Sequence, residues 1–383
     1  MIAAQRDGVP VDRLSRDERP DEPDACPPPG PGPGFRGQNE PVIVGPLRRL
    51  IATRAAPVAG LGVAWLVVAA AVARHGTVAP APTFPSVLGA WSADPAVLVP
   101  VALLAVAYLV AMRSVNQAHP TNPVPRSRAV CWLLGLGAIV VALQSPIEAY
   151  DTTLFSLHMV QHILLTLIGP PLLALGAPIT LLLRAVRPET RRRVVLPILH
   201  SLPVRIVTFP LVSWLLFALA MWGTHFSPIF NQSLEEPAVH QLEHAFYLVA
   251  GCLFWWPVVA LDPSPWRMSE PVRILYTFLQ MPQNSFLGLA ILSATAPLYA
   301  HYATLGRTWG PTVLDDQMQA GALMWVIGDL VFLVAILGIV VSWMHREERE
   351  TRAADARQDR ARAEIRERES RLAERLARER GES

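Results

Sequence analysis

Apolar runs long enough to cross a bilayer recur along the middle of this chain, and that repetition admits one class of fold. A spanning helix needs roughly 20 consecutive apolar residues, whereas a soluble domain buries one core of mixed pattern. By that rule about eight spans are expected. They lie near 57–75, 95–112, 129–147, 153–175, 204–224, 238–261, 273–294 and 317–344. Inside lipid every backbone N–H and C=O must be paired within its own segment, so the fold class is all-α, a polytopic transmembrane helix bundle. Within the fourth run, Pro170-Pro171 is expected to kink the helix, or to end it and start a short re-entrant or interfacial piece at 177–184.

The ends are polar. Residues 1–56 are rich in Pro and Gly, as in Pro27-Pro28-Pro29-Gly30-Pro31, and read as a disordered cytoplasmic tail. Residues 1–45 lack the apolar stretch of a cleavable signal, so the first apolar helix is expected to direct insertion. The transmembrane domain is 57–344. Residues 345–383 alternate Arg and Glu with Ala and Leu, with Glu-to-Arg pairs four apart at Glu364/Arg368, Glu367/Arg371 and Glu374/Arg378. That pattern reads as a solvated cytoplasmic helix. Ile365, Leu372 and Leu376 do not sustain a coiled-coil heptad.

Arginine placement orients the bundle, since the chain has no lysine. Arg48, Arg49 and Arg54 precede the first span. Arg113, Arg126 and Arg128 lie between the second and third, Arg184 to Arg205 between the fourth and fifth, and Arg267 and Arg273 between the sixth and seventh. The alternate loops carry Glu148, Asp151, Glu235, Glu236, Asp315 and Asp316, with Arg74 and Arg307 as isolated exceptions. The positive-inside rule then places both termini in the cytoplasm. No basic–aromatic pattern points to nucleic acid. The three cysteines, Cys26, Cys131 and Cys252, form no CxxC and no disulfide framework; the latter two read as small packing residues.

This topology sorts the ten histidines. His119, His200 and His345 fall on the cytoplasmic side; His75, His158, His162, His225, His240, His244 and His301 fall on or near the outer side. Two pairs share one spacing: His158 with His162 in Ser156-Leu157-His158-Met159-Val160-Gln161-His162, and His240 with His244. Four residues of helix advance about 400° and roughly 6 Å, so each pair shares a face. Both helices enter from outside, which puts the pairs at similar depth, where packing can bring four imidazoles to one metal. Ser233 and Glu236 suggest a capping box before the second pair. A lone membrane histidine often only bonds between helices. Two matched pairs point to a site, because ionisable groups in a bilayer are costly.

Imidazole suits copper, zinc, iron and nickel, and thioethers from Met159, Met318 or Met324 would favour Cu(I), although ordinary packing explains each methionine singly. Asp316 is placed to cap the last helix. Asp329, near mid-membrane, either orients a ligating histidine or pairs with a polar group on a neighbouring helix. Gly321 and Gly328 permit close helix contact. Trp255 and Trp256 suggest an inner interface belt. Walker, GxSxG, HExxH and CxxCH motifs are missing, so no catalytic class is indicated.

His158-Met159-Val160-Gln161-His162 resembles the signature of the CtaG-type cytochrome c oxidase assembly factors, a bacterial multi-pass membrane family. So do Glu243-His244 after His240, Leu253 to Pro257, Gln280-Met281-Pro282, Pro297-Leu298-Tyr299 with Tyr302, and the run Asp316-Gln317, Ala320-Gly321, Met324-Trp325, Gly328-Asp329. The likeness covers residues 90–344 and implies about eight helices, a seven-helix core plus one N-terminal helix. It also implies a non-enzymatic role in maturing haem–copper oxidases, with copper handled at the outer face of the bacterial plasma membrane. The implied partners are oxidase subunits, the lipid bilayer and an extracytoplasmic copper donor. His158, His162, His240 and His244 match the family's histidine motifs and are the implied metal ligands; Asp316 and Asp329 match its acidic positions. Met159, Glu243 and Met324 are accessory candidates. The rival readings are a membrane copper transporter and a haem or di-iron redox protein.

Overall fold

The computed structural model describes residues 78–381; the tail at 1–56 and the expected span near 57–75 lie outside the described residues. Among the described residues the regular structure is helical throughout, with no strand, so this is an all-α polytopic membrane bundle. Five helices are long and apolar enough to cross a membrane, or six if one bent pair counts as a span. The elements used below are α1 (Pro95–Ala118), α2 (Arg126–Gln144), α3 (Phe155–Ile163), α4 (Gly169–Leu175), α5 (Pro210–His225), α6 (Pro228–Glu235), α7 (Pro237–Val259), α8 (Glu270–Phe278), α9 (Gln280–Leu292) and α10 (Val313–Glu379). The run expected at 273–294 is divided at Leu279 into α8 and α9. The bent pair is α5 and α6, turned by 73°.

A chain with 36 prolines stays helical because many of them stand at helix starts. Pro95, Pro210, Pro228 and Pro237 open α1, α5, α6 and α7. Proline's missing N–H is one of the four amides that the first turn leaves unpaired anyway.

The proline pair behaves differently from the expectation at 177–184. The helix does not stop at Pro170-Pro171. A π turn, Leu164–Ile168, leads from α3 into the first turn of α4, and Phe155–Ala185 forms one apolar run of 31 residues. Pro170 offers no N–H to the carbonyl four residues back, at Thr166. The Trp255 indole N–H supplies the bond instead, at 2.9 Å. α7 comes that close because residue 251 is glycine: a Cβ there would stand 2.8 Å from Pro170 Cγ and 2.9 Å from Thr166 O. Trp255 is 1% exposed, so it is a hydrogen-bonded core residue and not part of an interface belt. The break falls later, at Ala177, whose φ is 48°, and the Tyr108 hydroxyl donates to the Gly176 carbonyl there at 2.6 Å. Trp255→Phe keeps the ring but strands the Thr166 carbonyl. The expected cost is about 1–3 kcal/mol, read as a lower unfolding midpoint in detergent; an unchanged midpoint would deny the indole this role.

α10 packs on α9 with backbone nearly touching backbone. A Cβ on Gly321 would lie 2.7 Å from the Gly288 carbonyl, and one on Gly288 would lie 2.8 Å from the Gly321 carbonyl. Such contacts are how helices associate in lipid, where packing takes over from the hydrophobic effect. The charged C-terminal segment is helical as expected and continues α10 without a break to Glu379. Of its three anticipated pairs, Glu367–Arg371 is closed among the described residues. Arg346 at its start reaches Glu270 of α8 at 2.5 Å.

Candidate metal centre

α3 and α7 each carry their first histidine as the fourth residue, His158 after Phe155 and His240 after Pro237. Both helices begin at the same end of the bundle, so the pairs meet at one level. Within each pair the ring centroids are 4.2 Å apart. Between pairs, His158 and His240 stack at 5.3 Å with 14° between planes, and His162 lies 6.4 Å from His244. All four histidines are buried.

Two carboxylates stand beside them, Glu243, an accessory candidate, and Asp151, which was not one. Glu243 Oε2 lies 4.0 Å from His158 Nε2, and Asp151 Oδ2 lies 3.6 Å from His240 Nε2. Two trios result, His158–His162–Glu243 and Asp151–His240–His244, each able to offer ligand atoms that lie within 4.8 Å of one another. Neither ring nitrogen of His158 or His162, and neither oxygen of Glu243, has a hydrogen-bond partner. A buried polar atom left unpaired costs about 1–3 kcal/mol, so these six at one place need an explanation, and a cation bound among them is one. The chemistry agrees. Imidazole lone pairs beside carboxylates form a donor set for borderline divalent ions. Asp151 lies in the turn before α3. Burial first, and then the nearby Glu148, hold its carboxyl well above the usual carboxylate range.

Gln161, between the two histidines of α3, orients a third. Its amide N–H group donates to the Ala142 carbonyl at 3.0 Å and to the Glu148 carboxylate. Its carbonyl oxygen therefore faces His244 Nε2, 3.0 Å away, and His244 must donate there. The proton is fixed on Nε2, and Nδ1 becomes the basic nitrogen, an arrangement that commonly orients metal-binding imidazoles.

The remaining expected residues divide. Asp316 does not cap its own helix; Thr312 does. Asp316 instead accepts from the Phe155 and Ser156 backbone N–H groups at 2.7 and 3.3 Å and from the Ser156 hydroxyl. It caps α3, whose own N-cap residue Leu154 makes no side-chain bond. Asp329 accepts from Asn284 at 3.2 Å and from Ser285, which is the second of its two expected roles, a pairing with polar groups on a neighbouring helix. The Ser233/Glu236 capping box does not form; Ser233 lies inside α6 and donates to the Phe230 carbonyl. Met159 and Met324 are buried and line a small cavity beside His162, whereas Met318 is 44% exposed. His225, which helix geometry alone had set aside, stands with its ring 5.9 Å from His162. Asp151 and Gln161 were also missed as site residues. An acid seven residues before the first HxxxH, and an amide inside it, were the available signals.

Comparison with known proteins shows what the chain is similar to. Residues 106–346 match the family described as cytochrome c oxidase caa3 assembly factor (Caa3_CtaG). Uncharacterized proteins of Mycobacterium bovis (Mb0105) and Mycobacterium tuberculosis (MT0111) are each 30% identical over 285 residues, which is 73% of this chain and 43% of theirs. An uncharacterized Mycobacterium leprae protein (ML1998) is 28% identical over 278 residues, 70% of this chain and 42% of its own. The chain thus spans under half the length of these relatives. No solved structure matches.

Proposed function

The chain belongs to the cytochrome c oxidase caa3 assembly factors, and on that premise we propose that it holds copper in the four-histidine centre and passes it to an oxidase subunit. One observation carries this reading: two histidine–carboxylate trios lie side by side in the bundle, with the ring nitrogens of His158 and His162 and the oxygens of Glu243 left without hydrogen bonds. An oxidase needs copper, and imidazole with carboxylate is a set that binds it. The arginine pattern supports an outer-face position in a bacterial plasma membrane, where an extracytoplasmic donor can load the centre. Copper is the cargo here. The protein's part is non-catalytic: its own residues bind the ion, exclude water around it and hold the imidazoles in one protonation state.

Membranes from cells lacking the protein are expected to contain oxidase with less copper and correspondingly lower activity, both restored by the wild-type gene. Normal, fully metallated oxidase in those membranes would overturn the proposal. A second reading has its own support, since two histidines with one carboxylate also suit non-haem iron. Iron in place of copper in the purified protein, with oxidase unaffected, would favour a membrane redox protein.

A further inference from the structure

Beside the four-histidine centre, His225 and Met159 face each other across 3.4 Å, from His225 Nε2 to Met159 Sδ. The protonation of His225 can be read from its neighbours. Nδ1 lies 2.7 Å from the Met221 carbonyl, which can only accept. The Thr224 hydroxyl donates to the Ala220 carbonyl at 2.7 Å, and the Tyr247 hydroxyl donates to Thr224. Neither hydroxyl has a proton left for His225, so the ring carries its own on Nδ1. Nε2 then presents a lone pair to a thioether sulfur, which is also a lone-pair donor. Two buried Lewis bases pointed at each other, with no proton between them, are the halves of a binding site.

The surroundings are of the same kind. Met159 and His162 stand three apart on α3, and Met221 and His225 four apart on α5, so each helix turns one stripe toward a shared cavity. Met324 of α10 completes the wall. All five residues are buried, and neither ring nitrogen of His162 has a hydrogen-bond partner. One ion bound at about 2.0 Å to nitrogen and about 2.3 Å to sulfur, at angles of roughly 105–120°, needs those atoms about 3.4–3.7 Å apart. Thioethers and imidazole without a carboxylate select a soft monovalent ion over a divalent one.

We propose that His225, Met159, Met221 and Met324 form a second metal site that takes a soft monovalent cation of the copper(I) class, with His162 shared between it and the four-histidine centre. The proposal deepens the copper reading above and rests on it. A carboxylate-containing centre lies at the end of the bundle where α3 and α7 begin, and a sulfur-containing one lies next to it, so two adjoining sites differ in hardness, the first suited to a divalent ion and the second to a monovalent one.

The test uses the full-length protein in detergent or nanodiscs under reducing, anaerobic conditions, loaded with Cu(I), with Ag(I) as a redox-inert stand-in. X-ray absorption is expected to detect sulfur around Cu(I) in the wild type. Met159→Leu, close to isosteric, is expected to lose that sulfur signal and to weaken Cu(I) at least about tenfold in chelator competition. Met324→Leu serves the same end if Met159→Leu does not fold. The double variant His158→Ala, His240→Ala is expected to keep sulfur-bound Cu(I). Copper held by nitrogen and oxygen alone, unchanged by Met159→Leu, would overturn this site and leave the four-histidine reading standing. Sulfur-bound copper in the wild type, with the total of Cu(I) and Cu(II) bound unchanged in the double histidine variant, would do the reverse. Binding of neither Cu(I) nor Ag(I) by the folded wild type would overturn both.

Discussion

The double variant His158→Ala, His240→Ala is expected to bind divalent copper at least about a hundredfold more weakly than the wild type while remaining folded. One histidine is removed from each trio, leaving His162 with Glu243 and His244 with Asp151. Two donors hold a borderline ion far less tightly than three, and the stacked contact at 5.3 Å between His158 and His240, which joins the two trios, is lost with them. The His158 substitution costs the fold no hydrogen bond. Removing a buried polar group that nothing satisfies also relieves a desolvation cost. His301→Ala is the informative control. His301 lies in the same part of the sequence-derived outer set, yet its Nε2 is bonded to the Thr152 carbonyl at 2.9 Å, so its loss should leave the copper content unchanged. Metal analysis of the three purified proteins decides the matter, and equal copper in wild type and double variant would remove the centre from the reading.

Much of this was legible because the physics involved is local. A helix fixes what is four residues away, so both HxxxH faces could be drawn from spacing alone. The apolar runs marked the described spans because lipid leaves the backbone no alternative. What could not be read is what depends on one helix meeting another. Trp255 looks like an interface anchor in sequence; only the π turn at Leu164–Ile168 shows that it serves a carbonyl freed by Pro170. In sequence Asp329 reads as an orienter of a histidine or a pairing group between helices, and Asp316 as a cap for its own helix. The first turns out to bind Asn284 and Ser285, and the second reaches across to α3. His225 lacks a partner at HxxxH spacing, so the periodicity that found the other four passed over it. The partner it does have at that spacing is Met221, and its nitrogen faces Met159 on another helix.

Asp316 gives that cross-helix dependence a measurable form. The first turn of α3 has amides with no partner in their own helix, and Leu154 offers none. Asp316 meets the Phe155 and Ser156 N–H groups and the Ser156 hydroxyl, and it is 2% exposed. Losing a cap costs about 0.5–2 kcal/mol, and bonds to a charged acceptor contribute about 1.5–3 kcal/mol each, so Asp316→Ala is expected to cost roughly 2–4 kcal/mol. Asp316→Asn keeps one acceptor oxygen and should recover part of that. Asp315→Ala, one position away, removes an exposed carboxylate bonded to the Thr312 hydroxyl and should cost about 0.5 kcal/mol or less. Thermal unfolding in detergent separates the three. Copper affinity should follow the same order, because His158 sits one turn beyond the capped end and moves when that end frays. Equal losses for the Asp315 and Asp316 variants would mean that α3 holds its histidines without help from α10.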